Sequence, residues 1–409
     1  MEFYGQATKS KEETIVGQEK EQIEIAYVSA AINKLGEKVT AADLQDELDK
    51  VATTEVTDNG DRTLNVFFED SKNNYNVNDG TITKVEPLVA GLYDSNRNQI
   101  VSWDDLVNRY GLDISKNYNN HNISTGYRKN PKSLYYILKN NSELSTGTIL
   151  VIDDSIETIG SYALTTSQLV TIQLPNNITS TGSDAFSSCT SLTNITIPDS
   201  VTSIGSGAFS SCTSLTNITI PDSVTSIGMK AFDSCTSLSN VTISNNIQVI
   251  EDGTFRNCTS LDNLKIPNSV KTIAEGNGNY SGAFSKCTNL KNIEMPNNLK
   301  FIGKFAFQGC TSLESIFIPD SVTTIQGHAF SECTSLSNIY IPISVTSMLD
   351  RDGGSSPLFE KCNLEIYCGV SSVPDGWGDE WNKKEALGPE YIEPKLGYTR
   401  EQYEAELNS

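Results

Sequence analysis

The stretch "CTSLTNITIPDSVTSIGSGAFSSCTSLTNITIPDSVTSIG", residues 189–228, states one phrase nearly twice with a period of 23 residues. Working outward from it, a proline or its substitute recurs at Pro175, Pro198, Pro221, Ser244, Pro267, Pro296, Pro319 and Pro342, with one spacing of 29 among spacings of 23. The longer step carries an insertion, "AEGNGNYSG", between Ile273 and Ala283. A weaker copy, "DDSIETIGSYALTTSQLVTIQL", precedes the series and a degraded one follows over 342–368, which makes about nine coils. A fixed period of this length marks a solenoid, in which each unit stacks on the next.

Within the coil that begins at Pro198, apolar residues stand at Val201, Ile204, Ala208, Phe209, Cys212, Leu215, Ile218 and Ile220. Ile218 and Ile220 flank Thr219 with period two, which predicts a strand with its isoleucines inward and its threonine outward. Pro221 ends that strand because it has no N–H to give to a ladder. Burying the apolar groups of a single coil does not offset the entropy of ordering all its residues. A coil is therefore stable only between neighbours, and repetition is how this chain builds a core.

The pattern "LTNITIP" is a short form of the leucine-rich repeat, L-x-x-I-x-I-P. With "AF", "CTSL" and "PDSVTSIG" around it, the unit closely resembles the BspA-like leucine-rich repeat family, over roughly residues 150–368. That family comprises surface and secreted proteins of host-associated bacteria and some parasitic protists. The resemblance implies a curved solenoid with binding roles and carries over no catalytic residues.

The flanking segments lack the period. Residues 10–35 form a long helical pattern that stops at Gly36, and a second helix starts at "TAADLQDELDKV", with Thr40 and Asp43 placed for a capping box. The runs "TEVTDNGDRTLNVFFED" and "YNVNDGTITKV" read as strands joined by Asn-Gly and Asp-Gly turns. One long helix followed by an antiparallel meander resembles the soluble part of a type IV pilin or pseudopilin from Gram-positive bacteria. In that family the leading half of the first helix is apolar and anchors the protein; this chain lacks that half, so anchoring is expected through a removed N-terminal segment. An unrelated small α+β cap is the alternative. In "GLYDSNRNQIVSWDDLVNRYGLDI" a turn and a strand lead to a helix capped by Ser102, with Asp105 three residues on and Gly111 at its stop. Residues 86–148 are expected to cap the first coil's sheet edge and core. In the tail, Trp377 and Trp381 are placed to cover the last coil, and "TREQYEAELNS" reads as a final helix. The expected α+β architecture is a pilin-like helix and β-meander domain (1–85), a cap (86–148), the leucine-rich-repeat β-solenoid (149–368) and a C-terminal cap and tail (369–409).

Several motifs have structural readings. Cys189, Cys212, Cys235, Cys258, Cys287, Cys310 and Cys333 fall in one column, one per coil, without the C-x-x-C pairs a zinc site needs. They read as buried free thiols acting as small hydrophobes. Cys362 and Cys368 depart from the period, and a bridge between them is a minor alternative. The oxygen donors of "DSNRNQIVSWDD" evoke a calcium loop at Asp94, Asn96, Asn98 and Asp105, but Gln99 replaces the required glycine and Asp105 the usual bidentate glutamate. A polar hairpin turn running into an N-cap explains the same residues. Only two histidines exist, His121 and His328, and neither a G-x-S-x-G elbow nor an H-E-x-x-H helix occurs. No catalytic residue, metal site or cofactor is expected, and the chain reads as a non-enzyme.

Two further columns accompany the strands, and the second faces outward. Asn194, Asn217, Asn240, Asn263, Asn292 and Asn338 either bond coil to coil through their amides or turn the chain into the strand. The residue between the strand isoleucines runs Gln173, Thr196, Thr219, Thr242, Lys265, Glu294, Phe317, Tyr340, Tyr367. Its second half, Lys265, Glu294, Phe317, Tyr340 and Tyr367, is the candidate binding site, because exposed aromatics on adjacent coils make an apolar stripe with polar handles. The competing reading is that the aromatics stabilise the sheet or are covered by the C-terminal tail folding back.

The net charge of -21, from 30 basic and 51 acidic residues, with no Lys/Arg block, argues against nucleic acid and against an anionic membrane surface. No apolar run is long enough to span a bilayer. The expected function is adhesion at the cell surface or outside the cell. The partner would be a host extracellular matrix protein, another cell-surface protein or a glycan, held on the strand-lined face. The alternative is a structural pilus or surface-assembly component in which the solenoid is a spacer.

Overall fold

The computed structural model describes residues 54–58, 64–68, 74–78, 81–85, 89–116, 132–144, 147–276, 282–348, 356–383 and 391–407. The chain divides into two units, Met1–Val89 and Ala90–Ser409. In the first, β1 (Thr54–Asp58), β2 (Leu64–Phe68), β3 (Asn74–Asn78) and β4 (Thr81–Val85) form an antiparallel sheet in the order β1-β2-β3-β4. This is the expected meander. The helical patterns at 10–35 and after Thr40 lie outside the described residues.

The second unit is the solenoid, and it carries two ribbons of parallel strands. The first ribbon contains Asn217–Thr219 paired with Asn240–Thr242, Asn263–Lys265 paired with Glu294's strand Asn292–Glu294, and Asn338–Ile341 paired with Glu365–Cys368. Every pair joins equivalent residues of adjacent coils, so a column in the sequence is a row in space. Side chains alternate as expected: Asn217 and Thr219 are exposed around buried Ile218. The second ribbon is made of two-residue strands from the V-T-S-I segment, such as Ser203–Ile204 beside Ser226–Ile227 and Thr272–Ile273 beside Phe301–Ile302. Two residues are too few to show a period of two, so this ribbon left no strand signal in the sequence. The glycine that follows it is required by the stacking distance. A Cβ on Gly205 would lie 2.5 Å from the Gly182 carbonyl, and one on Gly228 would lie 2.4 Å from Ser206 N.

The core is a set of columns. Phe186, Phe209, Phe232, Phe255, Phe284, Phe307, Phe330 and Phe359 are fully buried. Their rings stack nearly parallel at centroid spacings from 4.9 Å to 5.9 Å, a separation that stacked coils impose on any repeated ring. All nine cysteines are free and buried. Each thiol of the periodic column donates back to a carbonyl of the preceding coil, Cys189 to Leu164 (3.1 Å) and the others to a phenylalanine: Cys212 to Phe186 (3.2 Å), Cys235 to Phe209 (3.1 Å), Cys333 to Phe307 (3.2 Å). Burial pushes the Cys235 and Cys287 thiols up to about 12. Cys362 corrects the sequence reading. It donates to Phe330 O (3.1 Å) and therefore occupies the column, displaced only by extra residues in its coil.

Just before most of these cysteines the backbone turns left-handed, with φ of 60° at Ser188, 61° at Ser211 and 61° at Ser234. Non-glycine residues hold this conformation because each N–H donates to the next coil, as Ser211 does to Asp233 O and Ser234 to Arg256 O, both at 2.7 Å.

Both ends of the stack are covered. The hairpin of β5 (Gly91–Tyr93) and β6 (Gln99–Ser102) pairs antiparallel, through β5, with Ile149–Val151 of the first ribbon. Two short helices follow, α1 (Trp103–Asn108) and α2 (Leu134–Asn140), capped by Ser102 and Ser133. Leu106, Leu134 and Ile137 enter the same core as the coils. The β5–β6 turn is the polar hairpin expected. Asp94 accepts from the Asn96 and Asn98 amides, both at 2.9 Å, so its carboxylate closes the turn. At the other end Trp377 is fully buried, donates from Nε1 to Val345 O (3.0 Å), and meets Trp381 edge-on at 4.9 Å. The last described element is the short helix α3 (Arg400–Leu407).

Candidate binding face

The first ribbon presents two outward rows, an asparagine row and the row that runs from Gln173 to Tyr367. In the asparagine row, Asn240 Nδ2 donates to Asn217 Oδ1 (2.6 Å) and Asn292 Nδ2 to Asn263 Oδ1 (2.8 Å). The amides therefore bond coil to coil and fix one another's orientation. In the other row, Thr196, Thr219 and Thr242 are exposed and short. Lys265 and Glu294 follow as an exposed ion pair at 2.8 Å. Such a pair contributes little to stability, so its interest is its position.

The three aromatics do not share one environment. Phe317 is 49% exposed, but Tyr340 and Tyr367 are only 6% and 2% exposed. The candidate stripe is therefore not continuously exposed: as in the competing reading, the tail folds back over its last two members, and only Phe317 stays open. Tyr403 of α3 stacks on Tyr340 at 5.5 Å and meets Tyr367 at 5.1 Å. Tyr398 packs edge-on against Tyr367, also at 5.1 Å. Polar contacts fasten the cover. Tyr403 donates to Asn338 Oδ1 (2.6 Å), and Lys395 Nζ sits 4.3 Å over the Tyr367 ring and bridges to Glu365 and Glu406 at 3.1 Å each. Hydrogen bonding to the Tyr367 hydroxyl, more than any other contact, raises the Lys395 ammonium above its ordinary range. Burial pushes the Tyr403 phenol up to about 12.

Arg400 marks the boundary between covered and open surface. Its guanidinium lies 4.1 Å over Phe317 and 4.8 Å over Tyr340, donates to Ile318 O (2.8 Å) and pairs with Asp320. Arg400, Tyr403 and Lys395 were missed from sequence. Their only signal there was a run of cations and tyrosines in a tail otherwise read as a final helix. On the open side of Phe317 lies a groove of about 430 Å³, bounded by Asn268, Asn292, Glu294, Asn297, Ser315 and Phe317.

Of the two histidines only His328 lies among the described residues. His328 stacks on Phe305 at 5.1 Å and lies 3.2 Å from Ser331 Oγ and 3.3 Å from Glu360, and His121 lies outside the described residues. Among the described residues no group of His, Cys, Asp and Glu is placed to hold a metal ion. No helix among them is long and apolar enough to cross a membrane.

The sequence profile described as "BspA type Leucine rich repeat region" matches in six copies, over residues 132–224, 157–280 and 278–368. These segments make up more than half of the chain. Among solved structures, a leucine-rich repeat protein from Bacteroides ovatus is 23% identical, with 78% of each chain covered and a TM-score of 0.46. A leucine rich cell surface protein from Faecalibacterium prausnitzii is 22% identical over 80% of this chain and 97% of its own, with a TM-score of 0.34. The pneumococcal vaccine antigen PcpA is 20% identical over 64% of this chain and 82% of its own, with a TM-score of 0.29. No curated protein matches the chain.

Proposed function

The chain belongs to the BspA-type leucine-rich repeat family, and from that premise we propose that it is a non-enzymatic bacterial surface protein. It binds an extracellular macromolecule, a matrix protein, another surface protein or a glycan, on the strand-lined face of its solenoid. The observation that carries this reading is the break in the outward row. The buried columns repeat almost without change, so they serve the frame. The outward residue instead passes from Thr242 to Lys265, Glu294 and Phe317, and a half-exposed phenylalanine contributes nothing to a core already filled by Ile316 and Ile318. Tyr340 and Tyr367 serve the same face indirectly, by seating the tail that brings Arg400 against Phe317. A rigid stacked frame presents these groups without reordering on binding, which favours affinity.

An array of matrix proteins, surface proteins and glycans probed with the wild type and with Phe317→Ala tests the reading. Wild-type capture that falls in the variant supports the strand face; equal capture by both removes it. The pilin-like reading of residues 1–85 rests on the meander β1–β4 and the helical pattern ahead of it. A prepilin leader in the upstream coding sequence tests that reading.

A further inference from the structure

The groove beside Phe317 has a chemistry narrower than the face around it. One wall is the Phe317 ring, 49% exposed and steadied by the guanidinium of Arg400 at 4.1 Å. The remaining walls are polar and amphoteric. Asn292 and Asn297 each offer a carbonyl oxygen and an NH₂ group, and Ser315 offers a hydroxyl that both donates and accepts. Two amides are held in place by their neighbours: Asn292 Nδ2 donates to Asn263 Oδ1 (2.8 Å), and Asn268 Oδ1 accepts from Asn297 N (3.0 Å). Glu294 is compensated by Lys265 at 2.8 Å, so the charge at this point is an ammonium beside a carboxylate with no net sign.

Each feature discriminates between ligands. A cationic peptide segment would be drawn to an uncompensated carboxylate, and Glu294 already has its cation. An apolar segment would need an apolar floor, but Ile293 and Met295 are only 9% and 7% exposed beneath the polar rim. An anionic polymer would need cations without carboxylates among them. A sugar ring fits all three observations. It has one face of C–H groups that packs on an aromatic ring, and vicinal hydroxyls that donate and accept at once. The groove volume of about 430 Å³ lies within the range of small-ligand sites, roughly 300–1,000 Å³. We propose that this groove is a subsite for a neutral glycan, with one pyranose face on Phe317 and its hydroxyls on Asn292, Asn297 and the Lys265–Glu294 pair. This rests on the strand-face reading above and names its ligand class.

The test is titration of the full chain with a panel of neutral gluco-, galacto- and manno-configured oligosaccharides, beside sialylated and sulfated ones, followed by calorimetry. At least one neutral oligosaccharide should bind. Phe317→Ala should weaken it by about tenfold or more, the loss of one aromatic contact, and Phe317→Trp should keep it. The position is on the surface, and unchanged thermal unfolding of each variant shows that the frame is intact. Binding of the charged glycans alone, or neutral binding untouched by Phe317→Ala, overturns the assignment. Capture of a protein through the strand face with no neutral glycan bound overturns this inference and leaves the broader reading standing.

Discussion

The hydroxyl of Tyr403 donates to Oδ1 of Asn338 across 2.6 Å. Asn338 belongs to the asparagine row, so the C-terminal helix docks as though it were the next rung of the strand face. Tyr403 is the one buried residue of that helix, and a helix this short is not stable alone. The rings of Tyr340 and Tyr367 therefore hold the tail as much as the tail covers them.

Tyr403→Ala should release the tail. Loss of the two ring contacts and the hydrogen bond removes about 1–3 kcal/mol of docking. Hydrogen exchange should then rise over 395–407 and along Asn338–Ile341, while the coils upstream keep their protection. Unchanged exchange over both segments would show that Tyr403 does not hold the tail.

Alkaline pH should release it as well. Burial pushes the Tyr403 phenol up to about 12, against about 10 in the unfolded chain. A raised pKa means that the neutral phenol is favoured in the docked state. Its stabilising contribution is complete below pH of about 10 and disappears as pH climbs through about 12. Phenolate absorbance and tail protection should change together in that window, and separate transitions would break the link.

The thiols should be silent in the native protein. All nine are buried, and desolvation pushes several up to about 12, so a thiol-specific aromatic disulfide should find nothing to attack near neutral pH. Complete reaction should follow denaturation. Cys235→Ala removes one of two donors to Phe209 O, which keeps its bond from Cys212 N, so the loss should be that of one hydrogen bond, about 0.5–1.5 kcal/mol; Cys235→Ser should lose less.

Gly205→Ala should strain the stack, because the new methyl would lie 2.5 Å from the Gly182 backbone. Overpacking of this kind costs about 1–3 kcal/mol. At Gly309 the cause differs: φ is 72° and the nearest atom to a Cβ is 3.5 Å away, so Gly309→Ala should cost about 1 kcal/mol through backbone conformation alone. Urea unfolding of the two variants tests the order.

The stack and its columns, the Ser102 cap, the Trp377 plug and the Asp94 hairpin were legible in the sequence. Three features were not. The second ribbon uses strands of two residues, below the length at which alternation shows. Cys362 is off the period because added residues in its coil shift the spacing without moving the residue in space. Tyr340 and Tyr367 carried the same signal as Phe317, an aromatic in an outward position, so tail cover could be named as an alternative but not assigned to two of the three.

What the sequence by itself determined is the solenoid, because in a stack each residue meets its equivalent one period on, and the period is written in the chain. Such contacts are local in the only sense that matters here, and one coil's pattern specifies its neighbours. The limits of the open face were decided by tertiary structure alone. Tyr403 reaches Asn338 and Arg400 reaches Phe317 across long, aperiodic stretches of chain, and no repeat encodes a contact made once. Stacking, hydrogen bonding and charge at that single meeting leave Phe317 beside an open groove and place Tyr340 and Tyr367 beneath the tail.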